Sequence, residues 1–389
     1  MDPTRQYISD RVSKVPPSGI RKFFDMVIGM DDVISLGVGE PDFVTPWHIR
    51  EACIYSLEKG YTSYTSNAGL LELREAVSES FHRDYGVNYD PDTQVLVTTG
   101  VSEAADLALR AIVNPGDEVI IHEPSYVSYK PGAIFAGGIP ITVSTNRENE
   151  FRITGEQLEE VVTPKTKAII LSYPNNPTGA VMSKQDLEEL ADVAVEHDLL
   201  VISDEVYDKL TYNGKHTCFS SLNGMEERTI LLNGLSKSHA MTGLRVGYAM
   251  GPPDIINAML LIHQYTMLCA PITSQMGAIE ALKNGDSDMQ AMVREYNRRR
   301  RLFVTGLNDL GLDCFEPRGA FYAFPSVQST GMTSSQFAEG LLNQQKVAVV
   351  PGDVFGDSGA GFVRCSYASS LDELRTALER IEVFVNLAN

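Results

Sequence analysis

One lysine in this sequence stands where it could act as a nucleophile. Lys237 lies between small residues, shortly after the apolar run at 229–232. Small neighbours leave room for a ligand, and a lysine at the end of a buried strand loses solvation, so its amine can form a Schiff base with a carbonyl compound. The same pattern also fits an ordinary strand–loop–strand with a solvated lysine. Other segments must therefore decide between the two interpretations.

Further residues with useful chemistry follow other apolar runs. Asp204 and Tyr207 follow the run 199–202 within five residues, where a carboxylate is costly to bury unless it meets a cation; an N-cap or a capped turn is the alternative. The loop 173–179 contains two prolines, and a rigid loop of this kind displays Asn176 at a strand end. Tyr126 offers a flat ring at another strand end, unless it only fills the core.

The segment 99–104 is a candidate anion site. It is a glycine turn that opens a helix at Val101 and Ser102. Free N–H groups and the helix dipole attract an anion at such a start, which contributes a few tenths to ~1 kcal/mol per charge near the surface. Most glycine-started helices bind nothing. However, Arg245 adds a cation from the segment after the lysine, and Arg364 adds one from the C-terminal part.

Pyridoxal 5'-phosphate is a cofactor that uses this whole set. It needs a lysine for its aldehyde, an anion for its protonated ring nitrogen, a hydrogen-bond donor for its 3-oxygen, a stacking ring and a phosphate site. The candidates, in that order, are Lys237, Asp204, Tyr207 with Asn176, Tyr126, and finally Val101, Ser102 and Arg245. We therefore predict an enzyme that binds this cofactor.

These residues must be positioned by a fold of the α/β class. Seven β-rich runs alternate with longer helical segments, which predicts a large domain with a mostly parallel sheet between helices. The predicted strands are residues 94–98, 118–121, 139–143, 167–171, 199–203, 229–232 and 245–249. Ligands gather at the carboxyl ends of such strands.

The chain is predicted to divide into two domains. The cofactor-binding domain covers residues 46–290. A smaller α+β domain combines residues 1–45, which include an N-terminal arm and a first helix near residues 20–24, with residues 291–389. The basic run at 298–301 lies in a helical pattern and is expected to be a solvated helix face rather than a phosphate site.

Composition and charge exclude several classes of protein. The chain has 389 residues, 43% of them apolar, which suffices for a large core. A formal net charge of -19 argues against a nucleic-acid partner. The apolar runs are too short to span a membrane and the N-terminus has no apolar signal core, so we expect a cytoplasmic protein. The five cysteines are scattered without a CxxC pair, so neither a metal site nor a disulfide framework is expected.

An ordered set of motifs resembles a known family over essentially the whole length. The motifs are GEPDF, NPTG, SDEVY, SKxxxxTGLRVGY and GFVRCSYA. Together they resemble the class I/II aminotransferases of the aspartate aminotransferase fold, which depend on pyridoxal phosphate. The resemblance implies a homodimer in which an L-amino acid gives its amino group to a 2-oxo acid, with 2-oxoglutarate as the expected acceptor, in a ping-pong cycle.

The resemblance also assigns roles by motif position. Lys237 matches the Schiff-base lysine and Asp204 the partner of the ring nitrogen, while Tyr207 and Asn176 match the donors to the 3-oxygen. Tyr126 matches the ring that stacks on the cofactor. Arg364 and Gly39 match the ligands of the substrate carboxylate, and Tyr64 matches the tyrosine that reaches the phosphate of the neighbouring subunit. The positions that match the phosphate site are Val101, Ser102, Ser236 and Arg245.

The sequence departs from the family pattern at one cofactor position. Several relatives carry a serine three residues before the lysine, and this chain has Gly234 there, so one phosphate hydroxyl is missing. No distal arginine that would select a dicarboxylic substrate is identifiable. The pattern is nearest to aromatic and N-acetyl-diaminopimelate aminotransferases.

Other activities remain open alternatives on the same residues. A carbon–sulfur lyase or an enzyme like aminocyclopropane-carboxylate synthase would share them all. A non-catalytic regulator would need an added DNA-binding domain, and a nicotinamide dehydrogenase would need the GxGxxG opening that the segment 37–42 lacks.

Overall fold

The structure is a computed structural model that describes residues 7–20 and 30–388. Residues 21–24 of the predicted first helix lie outside this part of the chain. The helices within it are α1 (Asp10–Ser13), α2 (Trp47–Glu58), α3 (Leu71–Tyr85), α4 (Val101–Ile112), α5 (Tyr129–Ala136), α6 (Gly155–Glu159), α7 (Lys184–Glu196), α8 (Pro253–Thr266), α9 (Ile272–Asn284), α10 (Asp286–Asp309), α11 (Ser334–Gln345) and α12 (Leu371–Ala388). The strands are β1 (Ile34–Ser35), β2 (Val95–Thr98), β3 (Glu118–Glu123), β4 (Ile139–Ser144), β5 (Thr166–Ser172), β6 (Leu200–Asp204), β7 (Thr229–Gly234), β8 (Gly247–Met250), β9 (Tyr322–Ala323), β10 (Val347–Ala348), β11 (Val350–Pro351) and β12 (Val363–Ser366).

Seven strands form one sheet in the order β2-β8-β7-β6-β5-β3-β4. β8 runs antiparallel to both of its neighbours, and the other neighbouring pairs are parallel. Each strand overlaps one of the predicted strands, so the predicted α/β class is confirmed. One start differs: β8 begins at Gly247 and not at Arg245, because Arg245 has a left-handed φ of 51° that a strand does not use.

Helices cover the sheet because its central strands are apolar on both faces. β7 is buried along its whole length, and β6 is buried from Val201 onward. Strands of this kind need cover on each side. α4 packs on β6, β7 and β8, while α9 packs on α2 and α3. Asp204 and Lys237 accordingly lie at the end of β6 and just beyond the end of β7.

The C-terminal part forms a smaller α+β arrangement. β9, β12 and β11 make an antiparallel sheet, and β1 pairs in parallel with β10. The apolar segment 347–350 forms parts of two short strands, because its halves pair with different partners. The pairing of β1 with β10 fastens the N-terminal segment to this part of the molecule.

The basic run at 298–301 differs from its prediction. Arg298 and Arg301 are exposed, but Arg299 is 6% and Arg300 only 1% exposed. The prediction of one solvated face was wrong, because successive helical residues point about 100° apart and four in a row cannot share a face. Arg299 donates to Asp42 at 2.7 Å. α10 thereby holds the segment that carries the GEPDF motif.

The predicted domain boundary at 290/291 falls inside α10, which begins at Asp286. The division into 46–290 and 1–45 with 291–389 stays a prediction. Among the helices described for this chain, none combines the length and the apolar character needed to cross a membrane.

Candidate active site

The predicted carboxylate, Asp204, is the last residue of β6. It is 7% exposed, and its Oδ2 accepts a hydrogen bond from the Tyr129 hydroxyl at 2.7 Å. Its Oδ1 accepts one from the backbone N–H of Val206 at 3.2 Å. Burial raises the pKa of Asp204 to about 6, while these hydrogen bonds and Lys237 favour the charged form. The carboxylate is therefore buried, oriented and close enough to the lysine to interact with it.

Lys237 follows β7 by three residues and is partly buried. Its Nζ donates to the backbone oxygen of Gly39 at 2.6 Å. Burial lowers the pKa of Lys237 to about 8, against the opposing effect of Glu40. Arg364 and Arg245 lower it further. An amine with this pKa is largely protonated at pH 7 but gives up its proton far more readily than a solvated lysine.

Tyr207 lies in a pair of buried phenols. Its hydroxyl oxygen is 2.7 Å from that of Tyr322, and either hydroxyl can donate. Burial raises the pKa of both tyrosines, so both hydroxyls keep their protons. Sequence reasoning found Tyr207 and did not find Tyr322.

Arg364 lies on β12 and is 2% exposed. Its Nη1 donates to the Asn176 side-chain oxygen at 2.9 Å, and its Nη2 donates to the Gly37 oxygen at 2.5 Å. Its guanidinium carbon lies 4.7 Å from the ring centre of Tyr322 and 4.9 Å from that of Phe355. Two rings and two acceptors thus fix the guanidinium in one orientation.

The remaining donor capacity of Arg364 suits a carboxylate. Its buried Nε–H has no hydrogen-bond partner, and no carboxylate forms an ion pair with it in the part of the chain that the structure describes. Gly39 lies beside it: a Cβ on Gly39 would stand 2.8 Å from the Tyr322 hydroxyl and 3.7 Å from Nη1 of Arg364. Glycine is required here because any side chain would collide with the tyrosine.

The start of α4 forms an anion cradle with Arg245. Gly100, the N-cap of α4, has a φ of 77°, and a Cβ there would stand 2.5 Å from Nη2 of Arg245. Gly247 approaches equally closely, since a Cβ on it would lie 2.6 Å from the backbone nitrogen of Val101. Within residues 7–20 and 30–388, no carboxylate forms an ion pair with Arg245, whose Nη1 donates to the Thr242 oxygen at 3.0 Å. A free cation thus meets the open N–H groups of a helix start.

Two serines were predicted at this cradle. Ser102 lies in the first turn of α4 and is exposed, whereas Ser236 is 7% exposed. Gly234, where relatives carry a serine, ends β7 with little space around it: a Cβ would stand 3.0 Å from Val101 Cγ2 and 3.1 Å from the Gly247 Cα. The close packing of β7, β8 and α4 explains the glycine.

The two remaining aromatic predictions lie at the margin of this cluster. Tyr126 is half-buried, with its ring edge-on to Tyr129 at 5.6 Å between centroids. Tyr64 is 81% exposed and, among the described residues, forms no hydrogen bond with the residues above. Within the single chain, Lys237 thus interacts with Gly39, Asp204, Arg245 and Arg364, and Arg364 with Asn176, whereas Tyr64 lies at the surface.

Three residues of the site escaped sequence reasoning: Tyr129, Tyr322 and Gly37. Tyr129 lies three residues after Tyr126, a spacing that gave no signal because α5 begins at Tyr129 itself. Tyr322 lies in a run of aromatic residues whose pattern predicts a buried position in the hydrophobic core. The register of β9 with β12, which pairs Tyr322 with Ser366, brings it to Arg364, and no local pattern fixes that register.

Fold and site together define the class of protein. The ends of β6 and β7 supply a buried carboxylate and a low-pKa lysine, and two arginines without carboxylate partners in the described chain interact with that lysine from other segments: Arg245 before β8 and Arg364 on β12. Such a site suits an enzyme that carries out carbonyl–amine chemistry on anionic molecules.

The chain belongs to the aminotransferase class I and II family, whose model matches residues 31–381. It is 47% identical over 378 residues to aromatic-amino-acid aminotransferase 2 of Thermococcus litoralis, covering 96% of this chain and 97% of the relative. It is 48% identical over 378 residues to an aspartate aminotransferase of Pyrococcus abyssi, covering 96% and 97%. The structure of the Thermus thermophilus aspartate aminotransferase with maleate matches with a TM-score of 0.94 at 39% identity, covering 98% of this chain and 100% of that one. The protein is thus an aminotransferase, and neither a lyase nor a regulator is favoured.

Proposed function

We propose that this aminotransferase uses pyridoxal 5'-phosphate to move the amino group of an L-amino acid to a 2-oxo acid, with 2-oxoglutarate as the acceptor, in a ping-pong cycle. The observation that carries the proposal is the pair of arginines, Arg245 and Arg364, that both interact with Lys237. In a chain with 51 acidic and 32 basic residues, neither arginine has a carboxylate partner in the described structure. Two separate anions, a phosphate and a substrate carboxylate, fit these positions.

The residues present fit this cofactor. The cradle of Gly100, Val101 and Arg245 would hold its phosphate, and Ser102 and Ser236 lie nearby in sequence to add hydroxyls. Asp204 would pair with its ring nitrogen, and Tyr126 would cover its ring. When bound, pyridoxal phosphate supplies an aldehyde that condenses with amines and a ring that accepts the electrons left on the substrate Cα.

Asp204 would favour a positive charge on the ring nitrogen of the bound cofactor. With its pKa near 6 before a cation arrives, the carboxyl is mostly ionised at pH 7, and pairing with a buried cation would lower that pKa. Tyr129 and the Val206 N–H hold the carboxylate in place for this contact.

Lys237 is the proton carrier. A pKa near 8 lets its Nζ take the proton from the substrate Cα and give it up again near neutral pH. General acid–base transfer of this kind typically contributes ~10²–10⁴ in rate. In the cofactor-free chain Nζ donates to the Gly39 oxygen, a contact that attachment of the cofactor would replace.

Arg364, Asn176 and Gly39 orient the substrate. Nε and Nη2 of Arg364 can receive the α-carboxylate in a two-pronged, charge-assisted contact worth ~1.5–3 kcal/mol per hydrogen bond. Asn176 and Tyr207 supply donors to the cofactor's 3-oxygen. This contact would present the substrate's Cα–H bond to Lys237.

Aromatic amino acids are the donors that the site supports best. Arg299, which lies near the GEPDF segment, is paired with Asp42 and Glu295 and so is not available to a second substrate carboxylate. Relatives are named both aromatic and aspartate aminotransferases, and we place this chain with the former. Half-reaction rates for phenylalanine, tyrosine, aspartate and N-acetyl-diaminopimelate test this choice, and faster turnover of aspartate than of both aromatic substrates contradicts it.

The working form is proposed to be a cytoplasmic homodimer with shared sites. Large aromatic and apolar side chains are exposed on the single chain along α2, its following loop and the end of α8, as for Trp47 at 58%, Tyr64 at 81% and Tyr265 at 84%. Exposed patches of this kind mark interaction surfaces. In the dimer Tyr64 would reach the partner's phosphate site. Tyr64→Phe should then weaken cofactor binding without changing the sedimentation coefficient.

The central assignment is tested by Lys237→Ala, with the exposed Lys184→Ala as control. The first variant should lose both turnover and the visible absorbance of the covalently held cofactor, and the control should keep both. A Lys237→Ala protein that stays coloured and active would exclude this function.

A further inference from the structure

Tyr322 lies between the two halves of the proposed site. Its hydroxyl oxygen is 2.7 Å from that of Tyr207, on the cofactor side. Its ring centre is 4.7 Å from the Arg364 guanidinium carbon, on the carboxylate side. Its hydroxyl also fills the space that a side chain at Gly39 would need. Tyr322 is fully buried and is therefore held in this position.

The small antiparallel sheet fixes this placement. Tyr322 pairs with Ser366, which is two residues from Arg364 on β12. Residues two apart on a strand share a face, and so do directly paired residues, so Tyr322 and Arg364 project from the same side. Movement of one side chain is consequently felt by the other.

The two hydroxyls share one hydrogen bond, so only one proton lies between them. If Tyr207 donates to Tyr322, it has no proton left for a cofactor oxygen. If Tyr322 donates to Tyr207, the Tyr207 proton is free, and a phenol that accepts a hydrogen bond becomes a stronger donor itself. An anionic oxygen near Tyr207 favours the second arrangement.

We propose that Tyr322 is a positioning residue that donates its proton to Tyr207 and so couples the carboxylate pocket at Arg364 to the hydroxyl that faces the cofactor. This inference rests on the proposed function, because it assumes a cofactor oxygen beside Tyr207. A carboxylate that arrives at Arg364 contacts the guanidinium stacked on the Tyr322 ring. The contact offsets the positive charge beside the fixed phenol, which weakens Tyr322 as a donor and with it the hydrogen bond that Tyr207 makes.

The experiment is a pH titration of the absorbance of the Lys237-bound cofactor in the dimeric holoenzyme. It is done without ligand and with an unreactive carboxylate, 3-phenylpropionate, which lacks an amino group. Tyr322→Phe keeps the ring and removes the hydroxyl. Its control is Tyr296→Phe, since Tyr296 is 1% exposed, packs on the same Phe321 ring and has a hydroxyl without a hydrogen-bond partner in the described structure.

The Tyr322→Phe midpoint should rise by roughly 0.1–0.7 pH unit, because loss of the hydrogen bond to Tyr207 weakens the Tyr207 donor by ~10–30% and leaves the cofactor more basic. The shift that 3-phenylpropionate induces should fall by at least half. For amino acids kcat should drop more than KM rises. The Tyr296→Phe protein should titrate like the wild type.

Difluorotyrosine at position 322 provides a second variant that preserves shape. It is a stronger donor and should lower the midpoint. Tyr322→Phe with an unchanged or lowered midpoint, or difluorotyrosine without a downward shift, overturns the inference. If the wild type itself shows no absorbance that depends on Lys237, the proposed function fails first, so the two failures are distinguishable.

Discussion

The hydrogen bond from Tyr129 to Asp204 should control the ionisation of the buried carboxyl. In Tyr129→Phe the charged form of Asp204 keeps only the 3.2 Å bond from the Val206 N–H. A hydrogen bond to a charged group is worth ~1.5–3 kcal/mol, which corresponds to roughly 1–2 pKa units. The pKa of Asp204, now about 6, should therefore rise to roughly 7–8 in the cofactor-free protein.

The sign of the stability change follows from linkage. A carboxyl whose pKa is raised by folding contributes most to stability at low pH, and that contribution is lost as the pH rises through the folded pKa. The difference in the free energy of unfolding between wild type and Tyr129→Phe should thus contain no contribution from ionisation of Asp204 at pH 4.5. It should grow by ~1.5–3 kcal/mol between pH 4.5 and pH 9.

Urea unfolding of the cofactor-free protein at these two pH values measures this difference directly. Tyr296→Phe serves as the control, because its hydroxyl lacks a partner in the described structure. Adding Asp204→Asn to Tyr129→Phe should abolish the pH-dependent part. An equal destabilisation at both pH values would show that Tyr129 only packs, and would refute the electrostatic reasoning.

Three further predictions concern neighbouring residues. Arg364→Lys should raise KM for amino acids about ten-fold or more, because the lysine cannot make the two-pronged contact, which is worth ~1.5 kcal/mol or more. Steady-state kinetics with a simple amine that lacks a carboxylate provides the comparison. An equal rise in KM for both substrates would exclude the carboxylate role. Gly234→Ser should lower the free energy of unfolding by ~1–3 kcal/mol, because its Cβ would press on Val101 and Gly247. It should not improve cofactor affinity. Thermal unfolding measures the first effect and cofactor titration the second, and tighter cofactor binding would contradict the prediction. Asp204→Asn should stabilise the cofactor-free protein by up to ~3 kcal/mol at pH 8 and much less at pH 4.5, because burial raises the pKa of the carboxyl to about 6. Thermal melts at the two pH values measure this difference. The same gain in stability at both would argue against a buried charge.

The main sheet and the lysine–carboxylate pair could be predicted because their signals are local. Apolar runs of strand length end in Asp204 or shortly before Lys237, and parallel strands place their carboxyl ends along one edge. The same alternation of runs predicted the sheet's seven strands. The order of motifs was enough to indicate the family, which the comparisons then showed.

Contacts between distant segments needed the tertiary structure. The burial of Arg299 depends on which helix face meets Asp42, 257 positions away in sequence. The space that excludes a side chain at Gly234 exists only once β7, β8 and α4 are packed. Neither distance nor volume is encoded in a local pattern.

The same holds for the polar groups around the predicted residues. By itself the sequence determined the fold class and the placement of a lysine and a carboxylate at strand ends, because a strand's burial and its final residue are read along a few consecutive positions. Only the folded chain decided that Tyr129 donates to Asp204, that Tyr322 meets Tyr207, and that Nε of Arg364 stays without a partner among the described residues. Hydrogen bonds act over about 3 Å, so they depend on strand register and on close packing between segments far apart in the chain.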